Sequence, residues 1–237
     1  MGSEKIAEFI ASTDYKKIPA EAVDIAKMCI LDGFGVALAG SREPAGTIIT
    51  EYVQTMGGKP VSGVIGGGFK TNLQFAALAN GTLAHALDYD DHAVTWMGHP
   101  TVVLLPPVFA LAEKQNLSGK HVLQAYNVGW EVGSKICSAI AIRLFEQGWH
   151  PTATVGTLAA TAACANLLGL NSKQVGTALG IAASEAAGLR LNFGTDTKPY
   201  HAGRAASSAI SAAVLASMGF TAKETGLEGP LGFCSVY

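Results

Sequence analysis

The chain has 237 residues, enough for one large domain, and it is poor in charge: 49% of its residues are hydrophobic, 14% are charged, and the formal net charge is -2. Such a composition provides no basic surface for nucleic acid or for an anionic membrane, so we expect neither as a partner. No apolar run reaches the length of a membrane span without polar interruptions such as Asn166, Glu185 and Arg190, which favours buried helices of a soluble protein. The first ten residues include Glu4, Lys5 and Glu8 and do not resemble a secretory signal, so we predict a cytoplasmic protein.

Helical periodicity runs through most of the chain. Apolar residues at helical spacing, with matching start and stop signals, predict helices over residues 19–40, 45–56, 71–87, 101–114, 120–142, 152–168, 172–189 and 201–218. Gly57, Gly58 and Pro60 break the pattern before one short β-like run at 61–65. The predicted fold class is therefore all-α, with residues 1–237 forming one domain.

Two features that resemble sites favour structural interpretations. Four cysteines, at positions 29, 137, 164 and 234, stand far apart in apolar surroundings without a CxxC pair, which predicts reduced thiols rather than disulfides or a zinc site. The run Gly66–Gly68 lacks the Lys-Ser/Thr that follows the glycines of a phosphate-binding loop, which favours a flexible loop.

The densest polar segment is HALDYDDH, residues 85–92, followed by Gly98-His99-Pro100. Together these two stretches hold three of the six histidines and three carboxylates. If the helix continued through it, His85, Asp88 and His92 would share one face. Histidine holds or releases a proton near neutral pH, and a carboxylate orients it, so the segment favours an acid/base site. A metal site, which lacks the HExxH spacing here, and a capped helix end are the alternatives.

Two further polar segments lie at predicted helix starts. His150 stands in Gly-Trp-His-Pro-Thr between two helices, where it could instead be a structural cap. Lys198 stands in the Gly-bearing stretch 192–204, just before the helix that starts at His201. A lysine beside a helix N-terminus favours binding of a substrate carboxylate, and a solvated surface lysine is the alternative.

Taken in order, HALDYDDH, GHP, GWHPTATVGTLAATAACANLLGL, ALGIAASEAAGL and GTDTKPYHAGRAA resemble the successive motifs of the MmgE/PrpD family over essentially the whole chain. The resemblance implies an all-α main domain that homodimerises and requires no metal or organic cofactor. It implies a substrate pocket whose catalytic residues are Asp88, His99, His150 and Lys198, and whose substrate-binding residues are His92, Lys198 and His201. Family members also have Thr at the position of His92.

The family's activities include 2-methylcitrate dehydration, cis-aconitate decarboxylation and iminodisuccinate epimerisation, which all change a bond beside a carboxylate. The resemblance therefore implies a lyase of the dehydratase or decarboxylase type that acts on a small di- or tricarboxylate. In the implied mechanism Lys198 and helix N-termini pair with substrate carboxylates, His99 or His150 moves a proton, and Asp88 orients a histidine. The alternatives are an epimerase or isomerase, and a non-catalytic dimerising or carboxylate-binding subunit.

Family enzymes are longer than this chain and carry an α/β lid after the segment that corresponds to residues 227–233. We therefore expect the lid and the C-terminal return segment to be absent here. That expectation leaves a fragment, a naturally shortened protein, or one half of a split enzyme with a separate lid-bearing subunit.

Overall fold

The computed structural model describes residues 2–237, and over this range the chain forms ten α-helices and one small sheet. The helices are α1 (Gly2–Ser12), α2 (Ala20–Gly40), α3 (Pro44–Met56), α4 (Leu73–His85), α5 (Thr101–Gln115), α6 (Gly119–Glu146), α7 (Pro151–Leu167), α8 (Ser172–Glu185), α9 (Thr197–Ser217) and α10 (Phe233–Val236). The sheet is an antiparallel pair of two-residue strands, β1 (Ser62–Gly63) and β2 (Lys70–Thr71). The all-α prediction is confirmed.

Helices α4, α7 and α9 form the centre of the domain. Residues 151–166 of α7 are all buried, and most are Ala, Thr, Gly or Val. Small side chains allow neighbouring helices to approach closely, and α7 packs against α5, α6, α8 and α9. The abundance of Ala and Gly in the sequence therefore reflects a core built by close helix contact.

The most extensive helix contact, between α4 and α9, depends on two glycines. A Cβ placed on Gly81 would lie 2.7 Å from Cα of Gly203, and a Cβ on Gly203 would lie 2.1 Å from the carbonyl oxygen of Leu78. Neither approach is possible for a residue with a side chain, so the two backbones can meet only at glycine. This crossing brings the C-terminal end of α4 beside the N-terminal end of α9.

Several predicted boundaries were wrong. The helix predicted to run through Leu87 ends at His85, so His85, Asp88 and His92 do not share a helix face. The helix predicted to start at His201 starts at Thr197, which places Lys198 in its first turn. The helix predicted to end at Leu189 ends at Glu185, and α1 was not predicted.

Helix α2 is apolar on two faces. Val23, Ala26 and Ala37 are buried in the core, whereas the opposite face exposes Met28 and Leu31, which are 64% and 75% accessible. Large apolar side chains exposed opposite the core face of a helix are normally covered by a partner, so the outer face of α2 is a candidate contact surface. Over residues 2–237, no helix combines the length and the apolar character needed to cross a membrane.

Candidate active site

The candidate site forms where α4 ends and where α5, α7 and α9 begin. His85 is the last residue of α4, His150 immediately precedes α7, and Lys198 lies in the first turn of α9. His99 precedes α5 by two residues. Helix N-termini carry unpaired amides and positive potential, so three of them beside a lysine favour an anion.

The loop 86–100 carries the polar residues into this junction. It leaves α4 through Asp88, whose φ of 56° is in the left-handed region that Asp tolerates better than most residues. At its far end the His99 amide donates a 3.0 Å hydrogen bond to Thr152 Oγ1. Gly98 permits this contact, because a Cβ there would lie 2.6 Å from the same oxygen. The loop is thus attached to the start of α7.

Asp90 is the buried centre of the loop. Its side chain is fully buried between two histidines. His85 Nδ1 lies 2.9 Å from Oδ1 of Asp90, and His99 Nδ1 lies 2.9 Å from Oδ2. The second contact is an ion pair rather than a straight hydrogen bond, because the oxygen lies off the Nδ1–H axis.

Asp88 and Lys198 form the outer layer of the site. Lys198 Nζ lies 2.5 Å from Asp88 Oδ2, and His99 Nε2 lies 3.5 Å from Asp88 Oδ1. The Asp88 side chain is 52% exposed, whereas those of His99 and Lys198 are 14% and 15% exposed. The site therefore opens to solvent at Asp88, and its charge becomes more deeply buried toward Asp90.

Opposite charges decide the protonation of this cluster. Burial disfavours the charged form of His99, but the carboxylates of Asp90 and Asp88 outweigh it and raise its pKa above 6.5. Burial likewise raises the pKa of Asp90, but the two histidines hold the net value well below its usual range. Burial also opposes ionisation of Asp88, and Lys198 together with the histidines lowers its net pKa. The site thus favours ionised carboxylates beside a readily protonated His99.

His150 has the opposite environment. Burial, followed by the charges of His85, His201 and Lys198, lowers the pKa of His150 to about 2. His150 Nδ1 lies 3.2 Å from Nδ1 of His201, and the side chains that act on the charge of His150 are basic groups, each of which lowers its pKa. His150 is therefore a neutral imidazole at physiological pH.

The structure brings together Asp88, His99 and Lys198 in direct contact, with the His150–His201 pair beside them. The His92 ring is 5.3 Å from the His99 ring on the exposed side of the site. Asp90 and Phe193 were not among the predicted site residues, and His85 was named only on a predicted helix face with Asp88 and His92. The centroid of the Phe193 ring lies 4.8 Å from the centroid of the His150 ring and 5.2 Å from Lys198 Nζ. Asp90 and His85 were detectable only as members of the HALDYDDH run, whereas Phe193 carried no signal beyond its polar neighbours.

The spacing of the ligand atoms in this cluster also suits a divalent metal ion. One ligand atom from each of His85, Asp88, Asp90 and His99 can be chosen so that all four lie within 4.8 Å of one another. However, the ammonium of Lys198 already contacts Asp88, and a cation there opposes a second one. The observed contacts therefore fit acid/base chemistry better than metal binding.

Fold and site together define an all-α domain in which histidines, carboxylates and a lysine meet at converging helix ends. The profile of the MmgE/PrpD N-terminal domain matches residues 4–237. The chain belongs to the MmgE/PrpD family, as its motifs indicated.

Similar proteins include human cis-aconitate decarboxylase, which is 32% identical over 244 residues that cover 99% of this chain and 50% of that enzyme. A cis-aconitate decarboxylase of Aspergillus terreus is 34% identical over 97% of this chain and 48% of the enzyme. That of Aspergillus terreus strain NIH 2624 is 36% identical over 91% of this chain and 45% of the enzyme. The chain thus spans about half the length of the curated relatives it matches.

Proposed function

We propose that this domain carries the acid/base site of a lyase that acts on a small di- or tricarboxylate. The observation that carries the proposal is the contact chain Lys198–Asp88–His99 at three converging helix N-termini. This contact chain joins a lysine that can bind an anion to a histidine that can be protonated near neutral pH. The names of the relatives favour decarboxylation over dehydration, and cis-aconitate is the first substrate to test.

Lys198 and the helix N-termini would hold the substrate carboxylates. His99 Nε2, which faces the open side beside Asp88, would then exchange a proton with the substrate carbon. In a decarboxylation the bond to the departing carboxylate breaks, its electron pair moves into the carbon chain, and His99 protonates the carbon that receives it. Loss of one electrostatic contact to the developing charge costs about 3 kcal/mol in transition-state stabilisation.

His150 would act as a neutral hydrogen-bonding group rather than as the main proton carrier. A base with a pKa of about 2 removes protons poorly at neutral pH. Of the two histidines that the family mechanism implies, the contacts therefore favour His99. His201 lies behind His150, is 8% exposed and contacts its ring. Direct substrate binding by His201, and by the exposed His92, stays a prediction.

A covering partner is the second part of the proposal. Large apolar side chains are exposed in the segments that carry the site, where Tyr89 is 78%, Val94 84% and Leu191 89% accessible. Exposed apolar residues around a polar site are typical of a surface that a partner covers, and such a cover would exclude water during the reaction. We propose that a lid-bearing segment or subunit covers this side, and that a second copy of the chain covers the outer face of α2.

Binding and proton exchange of the purified chain test the proposal. The chain is mixed with cis-aconitate and 2-methylcitrate in deuterated buffer, and proton NMR follows ligand shifts, C–H exchange and product. We expect a response that is weakened by Lys198→Met and abolished by His99→Gln. Lys135→Met is the matched control, because Lys135 is exposed on α6, where it pairs with Glu131 one turn earlier.

Each outcome separates the alternatives. Product formation supports the lyase, and exchange without product supports the epimerase or isomerase. Binding that ignores His99→Gln and shows no exchange would favour the non-catalytic subunit. Absence of both binding and exchange contradicts the proposed site in this chain.

A further inference from the structure

Asp90 and His85 are buried charge-bearing groups for which the proposed mechanism gives no role. The Asp90 carboxylate and the His85 ring have no side-chain exposure. Asp90 lies at the Nδ1 side of His99 and Asp88 at the Nε2 side, and His85 Nδ1 lies 3.8 Å from Asp88 Oδ1. A buried carboxylate is costly unless its neighbours compensate its charge, so this placement needs a physical reason.

The contacts determine where the protons lie. An ionised carboxylate offers only acceptor atoms, so a histidine nitrogen held against Asp90 is favoured in its protonated form, by a hydrogen bond in His85 and by an off-axis 2.9 Å contact in His99. In both histidines that nitrogen is Nδ1. Nε2 of His99 faces a weaker competitor, because Asp88 Oδ1 is 3.5 Å away and the Asp88 side chain is 52% exposed and paired with Lys198. The other nitrogen of His85, Nε2, is buried without a hydrogen-bond partner among residues 2–237, so Nδ1 makes the ring's one bond.

We propose that Asp90 is a positioning residue that keeps the proton of neutral His99 on Nδ1 and so makes Nε2 the atom that exchanges a proton. His85 binds the other carboxylate oxygen and prevents the carboxylate from turning away from His99. The catalytic part of this inference rests on the proposed function, whereas the protonation pattern of His99 does not. A carboxylate that fixes the tautomer of a histidine is established chemistry in serine proteases, where an Asp-to-Asn change produces the wrong tautomer.

Replacement of Asp90 by Asn tests the charge with little change of shape. The Asn amide can donate to Nδ1, which would move the proton of neutral His99 to Nε2. Loss of the carboxylate also removes a group that raises the pKa of His99. The remaining groups that face His99 are His92 on its own loop, together with Asp88, Asp91, His85, His150 and Lys198.

The experiment is nitrogen NMR of the histidine rings in the full chain, recorded through a pH titration. Wild type, Asp90→Asn and Asp91→Asn are compared, and His99→Gln assigns the His99 signals. Asp91 is the matched control, because this neighbouring carboxylate accepts a hydrogen bond from the Thr101 amide instead of contacting His99. Above its titration, wild-type His99 should be protonated on Nδ1, and Asp91→Asn should preserve that state.

Asp90→Asn should move the proton to Nε2 and lower the pKa of His99. Turnover should fall about 100-fold or more, as expected for loss of general acid/base catalysis, and its pH profile should move toward lower pH. A merely structural role would lower thermal stability without either change. An Nε2-protonated His99 in wild type overturns the inference, even if Asp90→Asn does not fold. Because the tautomer needs no substrate, an inactive wild type with the expected tautomer would contradict the proposed function alone.

Discussion

His99 and His150 lie at the same junction of helix ends, yet their environments are opposite. His99 is 2.9 Å from the buried carboxylate of Asp90, which with Asp88 raises its pKa. His150 is paired with another histidine, and burial lowers its pKa to about 2. Burial acts in the same direction on both rings, so the carboxylates account for the difference. A conspicuous histidine in the sequence therefore does not by itself indicate proton transfer, because the carboxylates around it set its pKa.

The largest effect expected from this comparison is on turnover. His99→Gln should lower kcat by about 100-fold to 10,000-fold, because the ring that moves the proton is lost. His150→Gln should have a smaller effect and should leave the pH limb of His99 in place. Steady-state kinetics measure both, with His121→Gln as control, since His121 is exposed and contacts Ser118. Equal losses for His99→Gln and His150→Gln would remove the distinction between them.

Lys198→Met should weaken substrate binding by about tenfold to a hundredfold, the value of a hydrogen bond to a charged group. It should also raise the pKa of Asp88, because Lys198 stabilises the ionised carboxylate. Titration calorimetry gives the affinity and carbon NMR gives the Asp88 titration. Unchanged affinity would place the substrate carboxylates elsewhere.

Gly203→Ala should reduce the free energy of unfolding by about 1–3 kcal/mol, because its Cβ would overlap the Leu78 carbonyl oxygen. His85, which shares Asp90 with His99, ends α4, and His201, which contacts His150, lies in α9. A change at the α4–α9 crossing should therefore shift the ring signals of His85 and His201 together. Gly119→Ala is the control: it is the first residue of α6 with nothing within 4 Å of the added atom, and it should stabilise by about 0.4–1 kcal/mol. Urea unfolding measures both, and equal effects would contradict the close approach.

The pH dependence of stability should have opposite signs for the two histidines. The pKa of His150 is lower in the folded chain than when unfolded, so it costs stability as pH falls below about 6.5, by up to about 1.4 kcal/mol per unit. The pKa of His99 is raised on folding, so its contribution is complete below 6.5 and is lost as pH rises through the folded value. In urea unfolding, His150→Gln should therefore reduce the loss of stability in acid, and His99→Gln should increase it. Identical slopes for the two variants would contradict these assignments.

Chelation should have the smallest effect. If Lys198 rather than a metal ion neutralises Asp88, EDTA should leave turnover and ring signals unchanged. Inductively coupled plasma analysis of the purified chain provides the control for bound metal. Activity lost to EDTA and restored by one divalent cation would support the metal interpretation of His85, Asp88, Asp90 and His99.

The sequence predicted most helices because α2 to α9 carry strong apolar periodicity and clear turn signals. It failed at the end of α4, where Ala86 and Leu87 are good helix formers but the chain turns at the left-handed Asp88. That turn depends on contacts between side chains, above all on those of Asp90 with His85 at the end of α4 and with His99 at the far end of the loop. Polar segments together with the family motifs could therefore single out Asp88, His99, His150 and Lys198 as candidates, but they could not show which carboxylate contacts which ring.

Histidine NMR titration of the unliganded chain tests most directly that His99, rather than His150, is the proton carrier. The C–H signals of the six histidines are followed over the pH range in which the chain stays folded, and single His-to-Gln variants assign them. We predict that His99 titrates above 6.5 and that His150 does not titrate near neutral pH. A His150 that titrates near 6.5, or a His99 that titrates below it, would contradict the account.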